Sequence, residues 1–402
     1  REFKTLDSAF CGIGRRVRFR VFIEMTTVAI KDTYFSNAFR ERFGEAKDPV
    51  GKLRQEAFEY FTEEGFPTVR LEDWKYTNVA RIASLEWRVG DHVSDDVSGA
   101  MDRIRDFKFD RNGFTALNQA FAAYRVIRIP KETSVEEPFV LEHSAAAGEA
   151  IFPHTIVIAE AGSRATFVEI FASEQEGVTN SATQIFVDEN ASLTHYRVQK
   201  DAVEAFNYGV SEVAIGRAAR YNATSINLGG AITRHDIEAV FTAEGGEAFV
   251  DGLYMLSGAQ HHDTHSIIDH KVPNCTSHQS YKGVLNDTSR GVFNGKVFVR
   301  EGASGTDAIQ SNKNLLLSNE ARVDTKPQLE IFNEDVKCAH GATVGQLEEE
   351  ELFYLLTRGL PDSLARNLLT YGFAEEIINK IEIESIKQEL DAAVLNRLDA
   401  EI

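Results

Sequence analysis

Two residues near the end of the chain carry side chains that proteins use to bind iron or zinc. Cys338 and His340 lie in the run DVKCAHGAT, residues 335–343. In an extended segment, residues two apart share a face, so a thiolate and an imidazole would point the same way. They supply two ligands where a closed site needs four, and the neighbouring Lys337 is expected to lower the pKa of the thiol. A structural cysteine beside a capping histidine is the competing interpretation.

The sequence between 261 and 278 is rich in the same ligand types. Imidazole and thiolate bind zinc or iron, which makes a metal-dependent enzyme one hypothesis for this chain. The run HHDTH at 261–265 lacks the glutamate of an HExxH motif, and on a strand His262 would point away from its two neighbours. The competing interpretation is a set of hydrogen-bonded histidines in a sheet. The residues in question are His261, His262, His265, His270, Cys275 and His278.

Motifs for nucleotide chemistry are missing from the sequence. The nearest approach to a phosphate-binding loop is GVFNGKV at 291–297, which is one residue too short and ends in valine where serine or threonine is required. The sequence also lacks a GxGxxG after a strand and a GxSxG elbow. ATP hydrolysis, dinucleotide redox chemistry and serine hydrolysis therefore have no support from motifs.

Composition limits the partners and the compartment. The 402 residues carry a formal net charge of -19, which disfavours nucleic acid as a partner because phosphates would be repelled. The sequence lacks the stretch of about 18 apolar residues that a membrane helix needs. Three widely separated cysteines, Cys11, Cys275 and Cys338, do not form a disulfide framework. A soluble protein of the reducing cytosol is the expectation.

The segment 1–24 differs from the rest of the chain. It holds six basic and three acidic side chains in an otherwise acidic protein, and Met25 then begins a segment of ordinary composition. We interpret residues 1–24 as a non-native or upstream extension. The alternative is an Arg-rich transit peptide, although Ser8 is the only serine in the stretch.

The remaining chain divides by its hydrophobic periodicity. Residues 25–120 are predicted to form a helical domain, since apolar residues recur at steps of three and four in 53–61 before Gly65 and Pro67. Residues 121–345 contain short alternating runs between polar turns, the pattern of strands. Residues 346–402 are predicted to form three more helices, the second ending near Gly372 and the third spanning 374–398. The apolar stripes of these helices serve either as core or as a groove for a partner.

A weak repeat runs through the predicted strands. Small residues that follow polar turns recur at similar steps along the chain, and one longer step, from Ala248 to Gly291, is assigned to a histidine-rich insert at 260–280. Near-constant spacing predicts stacked coils, but a sandwich or jelly roll has similar strands. The repeat therefore favours a solenoid without deciding the fold. The positions are Ala165, Ala191, Ala219, Ala248, Gly291 and Ala321.

Short segments after Met25 resemble one known family. The most specific is CAHGAT at 338–343. These segments are similar to the SufB/SufD family of iron–sulfur cluster assembly scaffold proteins. SufB members usually carry His-Glu-Ala where this chain has His340-Gly341-Ala342, which favours the SufD branch. The other segments are LNQAF at 117–121, SYKG at 280–283, DTKPQLEI at 324–331 and LFYL at 352–355.

The resemblance implies a mainly β fold, a right-handed parallel β-helix core flanked by N-terminal and C-terminal helical domains. It implies a non-catalytic subunit that assembles with SufB, through the end of the β-helix, and with the ATPase SufC, through the C-terminal helices. His340 and Cys338 would contact a nascent iron–sulfur cluster at the SufB interface, the isolated chain holding no cofactor. We expect the partner-binding residues of the C-terminal helices to be Leu364, Leu368, Leu369 and Phe373.

Two other interpretations of the sequence remain. One is the metal-dependent β-helix enzyme that uses the His261–His278 cluster, and the other is a structural homodimer of the same fold. Under the scaffold hypothesis, ATP-driven dimerisation of SufC would move the helices at 346–402 and expose ligands at the interface, including His340.

Overall fold

The structure is a computed structural model that describes residues 34–44, 48–90 and 93–398. The proposed extension at residues 1–24 lies outside the described residues. The helices are α1 (Tyr34–Phe43), α2 (Pro49–Glu64), α3 (Ala80–Ser84), α4 (Met101–Arg105), α5 (Gly113–Phe121), α6 (Glu349–Thr357), α7 (Asp362–Ile378) and α8 (Glu384–Arg397), with 3₁₀ turns at Glu72–Trp74, Ser98–Ala100 and Phe109–Arg111. None of the described helices is both long and apolar enough to cross a bilayer.

The strands form two parallel sheets. Sheet 1 contains β1 (Arg88–Val89), β2 (Ala123–Ile129), β4 (Glu149–Ile151), β5 (Pro153–Ala159), β7 (Val178–Val187), β9 (Phe206–Ile215), β11 (Ile232–Phe241), β13 (His261–His270), β15 (Arg290–Val299) and β17 (Arg322–Ile331). Sheet 2 contains β3 (Phe139–His143), β6 (Arg164–Phe171), β8 (Ser192–Gln199), β10 (Arg220–Asn227), β12 (Glu247–Leu256), β14 (Thr276–Leu285), β16 (Thr306–Leu316) and β18 (Val336–Gly345).

From β6 onward, successive strands alternate between the two sheets. Each coil therefore adds one strand to each sheet and stacks in register on the coil before it. Arg164 pairs with Ser192, which pairs with Arg220, so the chain advances by the same length at each of these steps. The fold is a parallel β-solenoid of about eight coils with flanking helices, so the predicted fold class is confirmed. A sandwich or jelly roll is excluded because these pairings are parallel.

The explanation of the long step from Ala248 to Gly291 as an insert is wrong. Residues 260–280 include the regular strands β13 and β14. Ala248 lies in sheet 2, whereas Gly291 lies in sheet 1. The step therefore spans one and a half ordinary coils. The spacing alone does not reveal a change of sheet, because both sheets show the same alternation of apolar and polar residues.

One corner of the solenoid turns through left-handed backbone in coil after coil. The N–H of Asn190 donates to the carbonyl of Arg217 one coil on, at 2.9 Å, and the N–H of Asn274 donates to that of Ser304 at 2.8 Å. Glycine and asparagine tolerate this conformation best, which accounts for polar turns at regular spacing. The residues with positive φ at this corner are Glu132, Gly162, Asn190, Ala218, Gly245, Asn274 and Gly305.

The interior contains buried charge as well as apolar side chains. Glu169 accepts hydrogen bonds from Thr183, at 2.9 and 3.1 Å, and lies 3.0 Å from Nε2 of His195. Arg197 is in register with Glu169 and donates to Asn207 at 2.7 Å. A buried charge is tolerated only when it is paired and hydrogen-bonded, so these coils depend on one another for their polar contacts.

The N-terminal helices cover the outer face of sheet 1. Arg234 on β11 donates to Asp236 at 2.8 Å and to Asp263 at 3.1 Å, and its guanidinium lies 3.9 Å from the ring centre of Trp74. Trp74 is buried. Trp74 therefore lies in the contact between the N-terminal region and the solenoid.

Helices α7 and α8 cover the outer face of sheet 2. Ile377, Ile378 and Val394 are buried in one cluster with Val168 and Leu253 of the sheet. The helix end predicted near Gly372 is wrong, because α7 continues to Ile378. A helical glycine costs only about 1 kcal/mol, and the buried residues beyond it stabilise the helix by packing on the sheet.

Two glycines provide a matched test of this packing. A Cβ at Gly252 would lie 2.3 Å from the ring of Tyr281, whereas a Cβ at Gly372 would meet none of the described residues beyond its own stretch of α7 within 4 Å. We expect Gly252→Ala to lower the free energy of unfolding by about 1–3 kcal/mol through overpacking. Gly372→Ala should raise it by roughly 0.5–1 kcal/mol through helix propensity. Urea unfolding midpoints would measure both, and equal midpoints for the two variants would contradict the packing described.

Candidate functional site

The solenoid is open at its C-terminal end. Within the described residues, β17 pairs only with β15, and β18 only with β16. An unpaired strand edge presents a row of N–H and C=O groups that another chain can bind. Apolar side chains are also exposed at this end, among them Phe332 (56%) and Val344 (49%). The last coil is therefore a surface suited to a second polypeptide.

Cys338 and His340 both lie on this last coil. Cys338 is in register with Ala308, is half-buried and packs against the interior cluster. His340 is in register with Gln310 and is exposed. Strand alternation places both residues on the inward side of β18. A thiol and an imidazole therefore share a face at the mouth of the solenoid.

The expected effect of Lys337 on the thiol is wrong. Burial raises the pKa of Cys338, and the charge of Asp307 raises it further. Lys337 is exposed and, by alternation, lies on the other side of the strand. The isolated chain thus keeps this cysteine largely as a thiol at neutral pH. A thiolate ligand would have to form when a metal displaces the proton.

The ligand set at the open end is incomplete. The described part of the chain contains no group of three or more His, Cys, Asp or Glu side chains that could hold a metal ion. Cys338 and His340 are two donors, and tetrahedral sites of sulfur and nitrogen ligands need four. Any metal bound there would require ligands from outside the described residues.

The structure separates the histidines of 261–278. On the outer face of sheet 1, Nε2 of His261 lies 2.8 Å from Thr77 Oγ1, and His265 lies 3.2 Å from Asp263. His262 points inward, 2.7 Å from Thr233. The predicted split of these histidines between two faces is confirmed.

The other members of the group are equally dispersed. His270 lies inside the solenoid, 2.8 Å from Ser277 Oγ, and Cys275 is buried nearby with a raised thiol pKa. His278 is on sheet 2 with its ring against Phe249. The geometry therefore lacks the convergent centre that the metal-dependent enzyme hypothesis needs.

The C-terminal helices leave apolar side chains uncovered. Helix α6 has no buried residue, and Phe353 and Tyr354 are 68% and 56% exposed. Helix α6 contacts α7, and Leu352 and Leu355 are partly buried, but much of its apolar surface is uncovered within the described chain. On α7, Leu368 is 39% exposed, Leu364 and Leu369 are not fully buried, and the ring of Phe373 packs under Lys282 at 4.4 Å. Their predicted role in partner binding stays a prediction.

Sequence reasoning missed two interior glutamines beside this end. Gln310 lies in register with Gln279 on one side and with His340 on the other. The signal was present as polar residues at inward positions, each one coil length from the next. It could have been found only after the coil length and the sheet assignment were known.

The fold and the site define an open-ended β-solenoid with half of a soft-metal ligand set on its last strand. The family model described as "SUF system FeS cluster assembly, SufBD core domain" matches residues 140–373, and "SufBD protein N-terminal region" matches residues 33–94.

Named relatives agree with these matches. An iron–sulfur cluster assembly SufBD family protein of Synechocystis is 34% identical over 70% of this chain and 65% of its own length. The protein SufD of Escherichia coli is 28% identical over 86% of this chain and 92% of its own, and SufD of Bacillus subtilis is 29% identical over 71% and 67%. The chain belongs to the SufB/SufD family of iron–sulfur cluster assembly proteins, which confirms the recognition made from its motifs.

Buried histidines should make the solenoid sensitive to acid. Burial lowers the pKa of His262 to about 3 and that of His270 to about 4, from an ordinary 6.5. Between the folded pKa of about 4 for His270 and its ordinary value of 6.5, the unfolded chain binds more protons than the folded chain. The free energy of unfolding is therefore highest above pH 6.5 and decreases as the pH falls toward 4. His270→Gln should reduce the pH dependence of the free energy of unfolding by up to about 1.4 kcal/mol per pH unit.

Urea unfolding at several pH values between about 7.5 and 5 would measure the slope. His278→Gln controls for replacing an imidazole outside the interior. If the His270 variant lost stability with falling pH as steeply as the parent, His270 would not be a neutral interior group.

Proposed function

We propose that this chain is a SufD-type scaffold subunit of an iron–sulfur cluster assembly complex and catalyses no reaction by itself. The observation that carries the proposal is the pair Cys338 and His340 on the unpaired strand β18. An incomplete ligand pair on a docking edge is useful only when a second subunit completes it. The names of the relatives, as iron–sulfur cluster assembly proteins, support the same role.

The partner at the open end is proposed to be SufB. SufB belongs to the same family, so its coils would have matching strand spacing and could cover the edges of β17 and β18. Main-chain hydrogen bonds would supply affinity, and the exposed Phe332 and Val344 would be buried. The same edge would allow a homodimer when the chain is isolated.

The partner at the C-terminal helices is proposed to be the ATPase SufC. Phe353, Tyr354 and Leu368 are exposed apolar residues on adjoining helices, and large buried aromatic anchors dominate many protein interfaces. The ATPase activity of the complex would reside in SufC. This chain would convert movement of SufC into movement of its own sheet.

A direct contact supports that transmission. Lys282 on β14 is almost fully buried and donates to the carbonyl of Phe373 at 3.0 Å, and it also pairs with Glu376. Strand β14 is hydrogen-bonded to β16, which is hydrogen-bonded to β18. A displacement of α7 would therefore reach the strand that carries His340 after two strand pairings.

The chemistry proposed for this chain is to hold iron as cargo while the cluster forms. A neutral imidazole at His340 offers one ring lone pair to iron, and Cys338 offers sulfur once deprotonated. Sulfur would arrive through SufB, and the cluster would leave afterwards, so the chain would keep no resident cofactor. A reducing compartment such as the cytosol would keep the thiol available.

Loss of the imidazole should stop cluster formation without breaking the complex. We expect His340→Ala, coexpressed with SufB and SufC, to lower iron and acid-labile sulfide in the purified complex by at least about tenfold, because a ligand has been removed. Size-exclusion chromatography should show an unchanged complex. Lys337→Ala is the control on the same strand and the opposite face. Parental iron and sulfide in the His340 variant would refute the role of this residue.

Truncation of the exposed aromatic on α6 should weaken binding of the ATPase. Phe353→Ala removes an apolar anchor and is expected to cost about 2 kcal/mol, or roughly 30-fold in Kd. Glu351→Ala is the control, since residue 351 is exposed on another side of the same helix. Titration of SufC against the intact chain would measure both. Equal affinity of the two variants would place the SufC surface elsewhere.

A further inference from the structure

Two glutamines form a short amide ladder inside the last coils. Nε2 of Gln310 donates to Oε1 of Gln279 at 2.6 Å, and Nε2 of Gln279 donates to the hydroxyl of Ser266. Both glutamine side chains are buried. These two bonds fix which end of each amide is the donor, so Gln310 directs its N–H group toward the preceding coil.

The carbonyl oxygen of the Gln310 side chain is not used by this ladder. Its Oε1 is buried and has no hydrogen-bond partner among the described residues. The great majority of buried amide oxygens in proteins are satisfied, and each exception calls for an explanation. Here the preceding coil already occupies the Nε2 group. The following coil is the remaining neighbour in this ladder that could supply a partner for Oε1.

The following coil places His340 in that position. Gln279, Gln310 and His340 are successive partners in the register of sheet 2. Parallel strands repeat at about 4.8 Å, and amide ladders repeat with them. An imidazole reaches about as far from the backbone as a glutamine amide. Rotation of the exposed His340 ring about its Cα–Cβ bond would turn a ring N–H toward Gln310.

The opposite wall holds the amide in place. A Cβ at Gly295 on β15 would lie 2.4 Å from Nε2 of Gln310 and 2.8 Å from its Cδ. The space that a side chain at 295 would fill is therefore occupied by the glutamine amide. Gln310 is therefore confined between the two sheets, one strand pairing away from His340.

We propose that Gln310 is a positioning residue for His340. Its Oε1 accepts the N–H of one ring nitrogen and holds the imidazole in one neutral tautomer, with the lone pair of the other nitrogen directed to the subunit interface. Histidines that bind metal usually donate their second N–H to a carbonyl or carboxylate in this way. The inference rests on the proposed function of His340 and adds the residue that orients it.

The test compares two side chains of similar shape. Gln310→Glu keeps an acceptor at this position, and Gln310→Met removes it. The two ring nitrogens of His340 are observed in the intact, ¹⁵N-histidine-labelled chain by long-range ¹H–¹⁵N NMR at alkaline pH, and His340→Ala assigns the signals. The tautomer ratio should change about three- to tenfold in the Met variant, the equivalent of one net hydrogen bond. The Glu variant should keep the parental bias.

Gly295→Ala is a second route to the same result, because it displaces the amide without removing it. It should shift the tautomer ratio in the same direction as Gln310→Met. A purely structural glutamine would change the urea midpoint of the variants and leave the tautomers of His340 alone. A Met variant with the parental ratio would overturn the inference, while the proposed function would still be judged separately by the iron content of the His340→Ala complex.

Discussion

In-register parallel stacking is the constraint on which the rest of this molecule depends. Each coil uses its backbone hydrogen bonds on the coils before and after it, and each inward side chain sits on its equivalent one coil away. Buried polar groups must then find partners within a coil or in the next one. Glu169, His195 and Arg197 do so across β6 and β8, and Gln279 and Gln310 do so across β14 and β16. Each coil of the interior therefore depends on its neighbours to satisfy its buried polar groups.

The last coil has no following coil among the described residues to supply these partners. Helices cover part of the outer face of each sheet, but the described chain provides no further strand beyond β17 and β18. The backbone edge, the acceptor of Gln310 and the ligand pair Cys338 and His340 are all left at this end. A second subunit that continued the stack would satisfy the edge and complete the ligand set in one event. Under the proposed function, cluster chemistry and subunit assembly would both depend on this unfinished end of the solenoid.

Features that depend on the local residue pattern could be predicted from the sequence. Alternation identified the strands, and the motif around Cys338 and His340 identified the family. Three expectations failed because the outcome was decided by packing. The spacing of Ala248 and Gly291 did not show that they lie in different sheets. Gly372 did not end α7, because the residues that follow it are buried on sheet 2. Lys337 did not lower the pKa of Cys338, because it lies on the opposite face of the strand, whereas burial and the charge of Asp307 raise that pKa.

The two helical layers fasten to different sheets, and this bears on how a signal could reach the open end. The N-terminal layer is held to sheet 1 by Arg234 between Asp236, Asp263 and Trp74. The C-terminal layer is held to sheet 2 at β14, where a buried lysine pairs with α7. Arg234 and Lys282 are buried cations, and loss of their partners would leave a buried charge unpaired, which is costly. Each layer should therefore move with its own sheet. Force applied to α6 and α7 would then shift sheet 2 relative to sheet 1. The resulting displacement would change the distance between β17 and β18, the last strands of the two sheets.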